Sequence, residues 1–107
     1  MREFGFLRLT AATPSCRVAD VVHNAAAILA QYQEAARAGS ALAVFPELCL
    51  TGYTCGDLFQ QSTLRRGALS GLAAILAGSA DLNTLAVVGL PLEKDGALYN
   101  CAAVIQR

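Results

Sequence analysis

Apolar residues change their spacing several times along this chain, and each change marks an element. Phe4 to Ala12 is largely apolar, with Phe4, Phe6 and Leu7 to Leu9 inside it, and it predicts a strand that Pro14 and Ser15 break. From Val18 to Ala38 the period lengthens. Val18, Val21, Val22, Ala25, Ile28, Leu29, Tyr32 and Ala36 recur at three- and four-residue steps, which is one face of a helix. Gln31, Gln33, Glu34 and Arg37 fall mainly on the other side, and Gly39 follows the last turn, where a left-handed residue is expected. Ala41 to Phe45 is a short unbroken apolar run between Gly39-Ser40 and Pro46, which predicts a strand buried on both faces. Strand, helix and strand in this order predict a βαβ unit with a parallel pair and a right-handed crossover.

The second half repeats the alternation. After a loop at 46–56, Asp57 reads as a helix N-cap, with Gln60 three residues on completing a capping box. Leu64, Leu69, Leu72, Ile75 and Leu76 carry a helical face to Ala77, and Gly78-Ser79 end it. Gly67 and Gly71 weaken a helix, so close packing against a neighbour is expected at both. Leu85 to Leu90 predicts a third strand, Glu93-Lys94-Asp95-Gly96 a hairpin turn, and Ala97 to Ile105 a fourth strand. The expected order is βαβαββ, an α/β fold. No further element follows before Arg107, so the chain reads as part of a larger domain.

Composition supports that reading. Charged residues make up 15% of the chain and hydrophobic ones 55%, against about 25% charged in a typical soluble protein. A domain of 107 residues has too much surface to remain so apolar, so a large face is expected to be covered by further chain or by partners. The formal net charge is zero and the basic residues are scattered, which argues against a nucleic-acid partner. The N-terminal "MREFGFLRLT" has no apolar signal region, and no apolar run approaches the ~20 residues of a membrane span. The expected location is cytoplasmic, with no membrane partner. Cys16, Cys49, Cys55 and Cys101 lack C-x-x-C spacing, so they are expected to be reduced, semi-buried thiols, and no metal site is expected.

The chemistry concentrates in "LAVFPELCLTGYTCGDLF", residues 42–59. Pro46 closes the strand at Phe45 and sets Glu47 just past its carboxyl end, the edge where open α/β sheets bind ligands. Walled by Phe45, Leu48 and Leu50, the carboxylate is expected to be partly desolvated. That raises its pKa toward the range of a general base. Pairing with an arginine, or backbone hydrogen bonds within its own loop, explains the residue equally well on these grounds. His23 sits beside the apolar stripe without a Cys or Asp partner pattern, and Asp57 reads better as a cap than as a catalytic acid.

The run "AVFPELCLTGY" resembles the first catalytic segment of the nitrilase, or carbon–nitrogen hydrolase, superfamily. The helix carrying Asn24 and the strand "LYNCAAVIQ" also sit where that family has them. The longer string "TGYTCGDLFQQ" is similar to the amidase domain of bacterial glutamine-dependent NAD+ synthetases, and the resemblance covers essentially the whole chain.

The resemblance implies an αββα four-layer sandwich, of which residues 1–107 are the N-terminal portion. It implies a Glu, Lys and Cys site that hydrolyses L-glutamine, with Glu47 as the base toward the cysteine thiol and the lysine stabilising tetrahedral intermediates. Tyr53 is expected either to shape the substrate pocket or to be a buried loop anchor. The family lysine and cysteine have no counterpart in 1–107; Lys94 lies in the hairpin turn and does not match. The isolated chain is therefore expected to be inactive. The resemblance also implies a synthetase domain beyond this chain, using ATP and Mg2+ to amidate deamido-NAD+, in a protein that assembles as a homo-oligomer. No cofactor is expected on residues 1–107 themselves. Two other readings remain open at this point: a stand-alone amidase or carbamoylase, and a non-catalytic interaction module.

Overall fold

A computed structural model of the chain describes residues 5–106. Its elements are β1 (Leu9–Ala11), α1 (Val21–Arg37), β2 (Leu42–Val44), α2 (Ser62–Gly78), β3 (Leu85–Lys94) and β4 (Ala97–Ile105), with a 3-10 turn at Gly56–Gln60 before α2. The expected βαβαββ order is therefore present. The four strands form one sheet in the order β1-β2-β3-β4, parallel up to β3 and antiparallel between β3 and β4. Two parallel steps in the same direction put both helices on one face of the sheet, as the right-handed crossover rule requires. No helix among the described residues is long and apolar enough to cross a membrane.

The core lies between that face and the helices. Val21, Ala25, Ile28 and Tyr32 of α1 and Leu64, Ala68 and Ile75 of α2 pack with Ala43, Ala86, Val88, Leu90 and Ile105 of the sheet. Polar pins reinforce the layer. The buried Tyr32 hydroxyl donates to the Thr84 carbonyl at 2.5 Å, and Thr84 Oγ1 donates to the Ser40 carbonyl at 2.6 Å. Gly71 permits a close helix approach. A Cβ there would lie 2.6 Å from Val21 Cγ1 and 3.1 Å from Leu50 Cδ2. At Gly67 a Cβ would meet Val21 at an ordinary 3.6 Å, so the expected tight packing holds for Gly71 and not for Gly67.

Several boundaries differ from the expectation, each for a local reason. The first strand is confined to Leu9–Ala11. Phe6 and Leu7 are exposed outside the ladder, and Phe4 lies outside the described residues. Helix α1 begins at Val21 rather than Val18, because Ala19 takes φ +62° and Asp20 then caps the helix through Oδ1, which accepts from His23 N at 3.1 Å. Asp57 does not cap α2. It lies inside the 3-10 turn, and α2 starts at Ser62 behind Gln61 with no side-chain cap. Strand β3 runs on through Pro91 to Lys94. Beyond Val87 its register with β2 has ended and β4 is its strand neighbour, so a residue without an N–H is tolerated there. Gly39 has φ +82° as expected, and Asp95 and Gly96 both have positive φ, the geometry of a tight hairpin turn.

The opposite sheet face is open, which corrects the expectation that Ala41 to Phe45 is buried on both sides. Val44, Val87 and Val104 align across three strands, with Leu9, Leu42 and Leu85 a row below. Leu9, Val44 and Val104 are 63%, 41% and 68% exposed. An apolar face of this kind is what the low charge content foreshadowed.

Two substitutions separate packing from propensity on α2. Gly71→Ala is expected to destabilise the protein by about 1–3 kcal/mol through overpacking against Val21 and Leu50. Gly67→Ala is expected to be neutral or to stabilise by up to about 1 kcal/mol, because its Cβ finds room and helix propensity improves. Denaturant titration of both variants measures the contrast. On α1, Asp20→Ala removes the cap on His23 N and is expected to cost about 1 kcal/mol in the same titration.

Candidate functional site

The site is built on the turn that follows β2. The strand's ladder is continued by Phe45 N, which donates to the Val87 carbonyl at 3.0 Å, and Pro46 then supplies no donor. Leu48 takes φ +52°, and its carbonyl accepts from both Thr51 N at 3.1 Å and Gly52 N at 2.8 Å. The chain thereby folds into a compact turn with Glu47 at its outer rim. The turn rests on β3 at Gly89, whose carbonyl accepts from Leu50 N at 3.2 Å. Only glycine fits there, because a Cβ would run into Leu48 N and lie 3.0 Å from Pro46 O. Thr51 is fully buried, and its carbonyl accepts from Ala19 N at 2.7 Å and from the Cys55 thiol at 3.1 Å.

Asn24 closes the arrangement from α1. Its side chain is 1% exposed and makes three hydrogen bonds. Nδ2 donates to the Arg17 carbonyl at 2.8 Å and to the Leu50 carbonyl at 3.0 Å, and Oδ1 accepts from Arg17 N at 2.8 Å. Between the 13–16 segment and the 46–53 turn lies a cavity of about 250 Å³, and Cys16, Asn24, Glu47, Cys49 and Tyr53 all line it. A larger groove of about 400 Å³ runs between α1 and α2, lined by small and apolar residues such as Val21, Ala25, Leu29 and Gly71. It lacks charged groups with which to act on a substrate.

The structure thus brings Glu47 and Tyr53, both singled out in the sequence, to one cavity. Glu47 is exposed, while Phe45, Leu48 and Leu50 are buried beneath it. The expected apolar wall is therefore absent on this chain: Phe45, Leu48 and Leu50 are turned into the core, and the carboxylate is left at the rim. Neither alternative expected for Glu47 is present. Among the described residues its carboxylate has no arginine partner and accepts no backbone hydrogen bond. Tyr53 is 67% exposed, which removes the buried-anchor reading. His23 sets Nε2 3.2 Å from the Ser15 carbonyl, as an element of the same wall.

The four cysteines are free, but only Cys101 is semi-buried as expected: Cys49 and Cys55 are buried and Cys16 is exposed. The Cys16 sulfur sits over Gly52, 3.5 Å from where a Cβ would stand. Desolvation, with a smaller contribution from Cys55, raises its pKa. Desolvation also raises that of Cys49, opposed in part by its bond to the Gly89 carbonyl. Raised thiol pKa values mean less thiolate near neutrality, so neither is primed as a nucleophile. Among the described residues no cluster of three or more His, Cys, Asp or Glu is placed to hold a metal ion.

Asn24 and Gly89 had no role assigned from the pattern, and Leu48 was expected only as part of a wall around Glu47. Asn24 carried a usable signal, since it lies three residues after Val21 and four before Ile28, a polar residue on the apolar stripe. The left-handed Leu48 had none, because leucine does not favour that conformation.

Known proteins are similar to this chain in sequence and fold. A carbon-nitrogen hydrolase family profile matches residues 8–107. The chain is 39% identical over 105 residues to a glutamine-dependent NAD(+) synthetase of Mycobacterium tuberculosis, covering 98% of this chain and 16% of the relative. It is 37% identical over 103 residues to that of Mycobacterium leprae, covering 96% and 15%. The chain thus spans about one sixth of the length of these curated relatives. The solved structure of a glutamine-dependent NAD(+) synthetase from Cytophaga hutchinsonii superposes with a TM-score of 0.85 at 31% identity, covering 94% of this chain and 17% of that one. An amidase from Nesterenkonia sp. has the same fold, with a TM-score of 0.75 at 24% identity over 94% of this chain and 38% of its own. With the profile spanning all but its first seven residues, this chain belongs to the carbon–nitrogen hydrolase family.

Proposed function

We propose that residues 1–107 are the N-terminal portion of the glutamine-hydrolysing domain of a glutamine-dependent NAD+ synthetase. The observation that carries this reading is the 39% identity to synthetases of that name over 98% of the chain. The exposed apolar face of the sheet, with Leu9, Val44 and Val104, supports it from a second side. In an αββα sandwich the second sheet lies there, contributed by the rest of the domain.

In this reading Glu47 is the general base. An unpaired carboxylate past the end of a parallel strand is free to take a proton from a thiol brought opposite it, and the thiolate then attacks the glutamine amide. The thiol and a lysine that stabilises the tetrahedral intermediates come from chain beyond residue 107. Closing the sandwich over the rim at Glu47 would supply the desolvation that this chain alone does not. Tyr53, exposed on the same cavity, is positioned to line the glutamine pocket. The isolated 107 residues carry one of the three catalytic groups and are expected to be inactive.

The ammonia released would amidate deamido-NAD+ in a separate synthetase domain that uses ATP and Mg2+. The assembled protein is expected to be a cytoplasmic homo-oligomer.

In the full-length protein, Glu47→Gln is expected to lower glutamine-driven NAD+ formation by a factor on the order of 10² to 10⁴. Synthesis driven by added ammonia is expected to stay within about twofold, because ammonia bypasses the step. Both rates are measured on one preparation. Equal loss of both would make Glu47 a structural residue, and an unchanged glutamine-driven rate would remove it from the chemistry.

A further inference from the structure

A buried asparagine on the apolar stripe of a helix needs an explanation. Asn24 occupies a position where a leucine or valine would pack without desolvating an amide. It is 1% exposed, yet none of its three side-chain bonds goes to its own helix. Two end on the backbone of Arg17, directly after the segment Thr13 to Cys16 that forms one wall of the Glu47 cavity. The third ends on the Leu50 carbonyl, in the turn that forms the other wall. Both walls therefore hang from one side chain, and that side chain also lines the cavity between them.

The anchored carbonyl lies three residues from Glu47 within a turn that has little freedom of its own. Leu48 O is bonded to Thr51 N and Gly52 N, and Leu50 N is bonded to Gly89 O. Moving Leu50 therefore moves the whole turn, including the carboxylate at its rim. The bond from Ala19 N to Thr51 O joins the same two walls, but it is a backbone contact that permits a hinge. The planar Asn24 amide, bonded at both of its atoms, removes that freedom. A fully satisfied buried amide of this kind specifies one arrangement, because leaving any one of its groups unpaired carries the full cost of its desolvation.

We infer that Asn24 is a positioning residue for the reaction. Through the Leu50 carbonyl it fixes where Glu47 stands relative to the opposite wall, and so where the base meets the thiol. The inference rests on the proposed role of Glu47 as base. A base displaced by about 1 Å loses rate in the chemical step on the order of 10²-fold without a matching loss of substrate binding. The effect therefore falls on kcat more than on KM.

The test uses the full-length protein and three variants. Asn24→Ser removes all three bonds. Asn24→Gln keeps the amide but lengthens its arm by one methylene. Glu47→Gln is the control for the underlying reading. Steady-state kinetics are measured for NAD+ formation with glutamine and with added ammonia. Asn24→Ser is expected to lower the glutamine-driven kcat by about 10- to 100-fold, the range seen when supports of functional groups are removed. Its KM for glutamine is expected to shift by less than about threefold, with the ammonia-driven rate retained. Asn24→Gln is expected to fall between Asn24→Ser and the parent.

A loss shared equally by the two nitrogen sources, including a variant that does not fold, overturns the inference in favour of a general scaffold role. So does an unchanged glutamine-driven kcat, or a loss confined to KM. If Glu47→Gln itself leaves the glutamine-driven rate intact, the role of Glu47 fails instead. The behaviour of Asn24→Ser then no longer bears on a base.

Discussion

The structure depends on one close approach, between the backbone of Pro46 to Leu48 and strand β3 at Gly89. A Cβ at position 89 would stand on Leu48 N and 3.1 Å from the Glu47 carbonyl carbon, so the turn after β2 can lie on β3 only because that position has no side chain. From this contact the rest follows in order. The turn settles low enough for Leu50 N to reach the Gly89 carbonyl, and Leu50 and Thr51 become fully buried. Leu50 then packs where α1 and α2 meet, against the surface that Gly71 leaves free. The acidic side chain that remains outside this packing is Glu47.

Much of this fold was legible because it follows from spacing. The α1 stripe apart from Val18 and Val22, the hairpin at Asp95-Gly96 and the whole of β4 appear in the structure where the apolar period and turn chemistry put them. What spacing missed was decided by contacts between distant segments. Asp57 has every local qualification for a cap, but the chain first makes a 3-10 turn at Gly56–Gln60, and the helix begins beyond it. The third strand was expected over Leu85 to Leu90 but runs on through Pro91, because a missing N–H matters only where a neighbouring strand needs it, and the register of β2 with β3 stops at Val87.

The position of the candidate site was legible in the sequence, and its environment was not. The proline and the strand before it located Glu47 correctly. The hydrophobic neighbours suggested a walled carboxylate, whereas in the fold they enter the core and leave the acid exposed. Asn24 was visible as a polar break in an apolar stripe, but its partners Arg17 and Leu50 are brought to it only by the tertiary fold.

Among the described residues Glu47 has no ion-pair or hydrogen-bond partner past the end of β2, and the task proposed for it is to meet a thiol. A crystal structure of the full-length protein, trapped with a thiol-reactive glutamine analogue, tests it most directly. The Glu47 carboxylate is expected within about 2.6–3.2 Å of the trapped sulfur or of the group bonded to it, or joined to it by one water, with the turn still seated on Gly89. A Glu47 carboxylate bound to an arginine, or turned to solvent with no cysteine sulfur in reach, would contradict it.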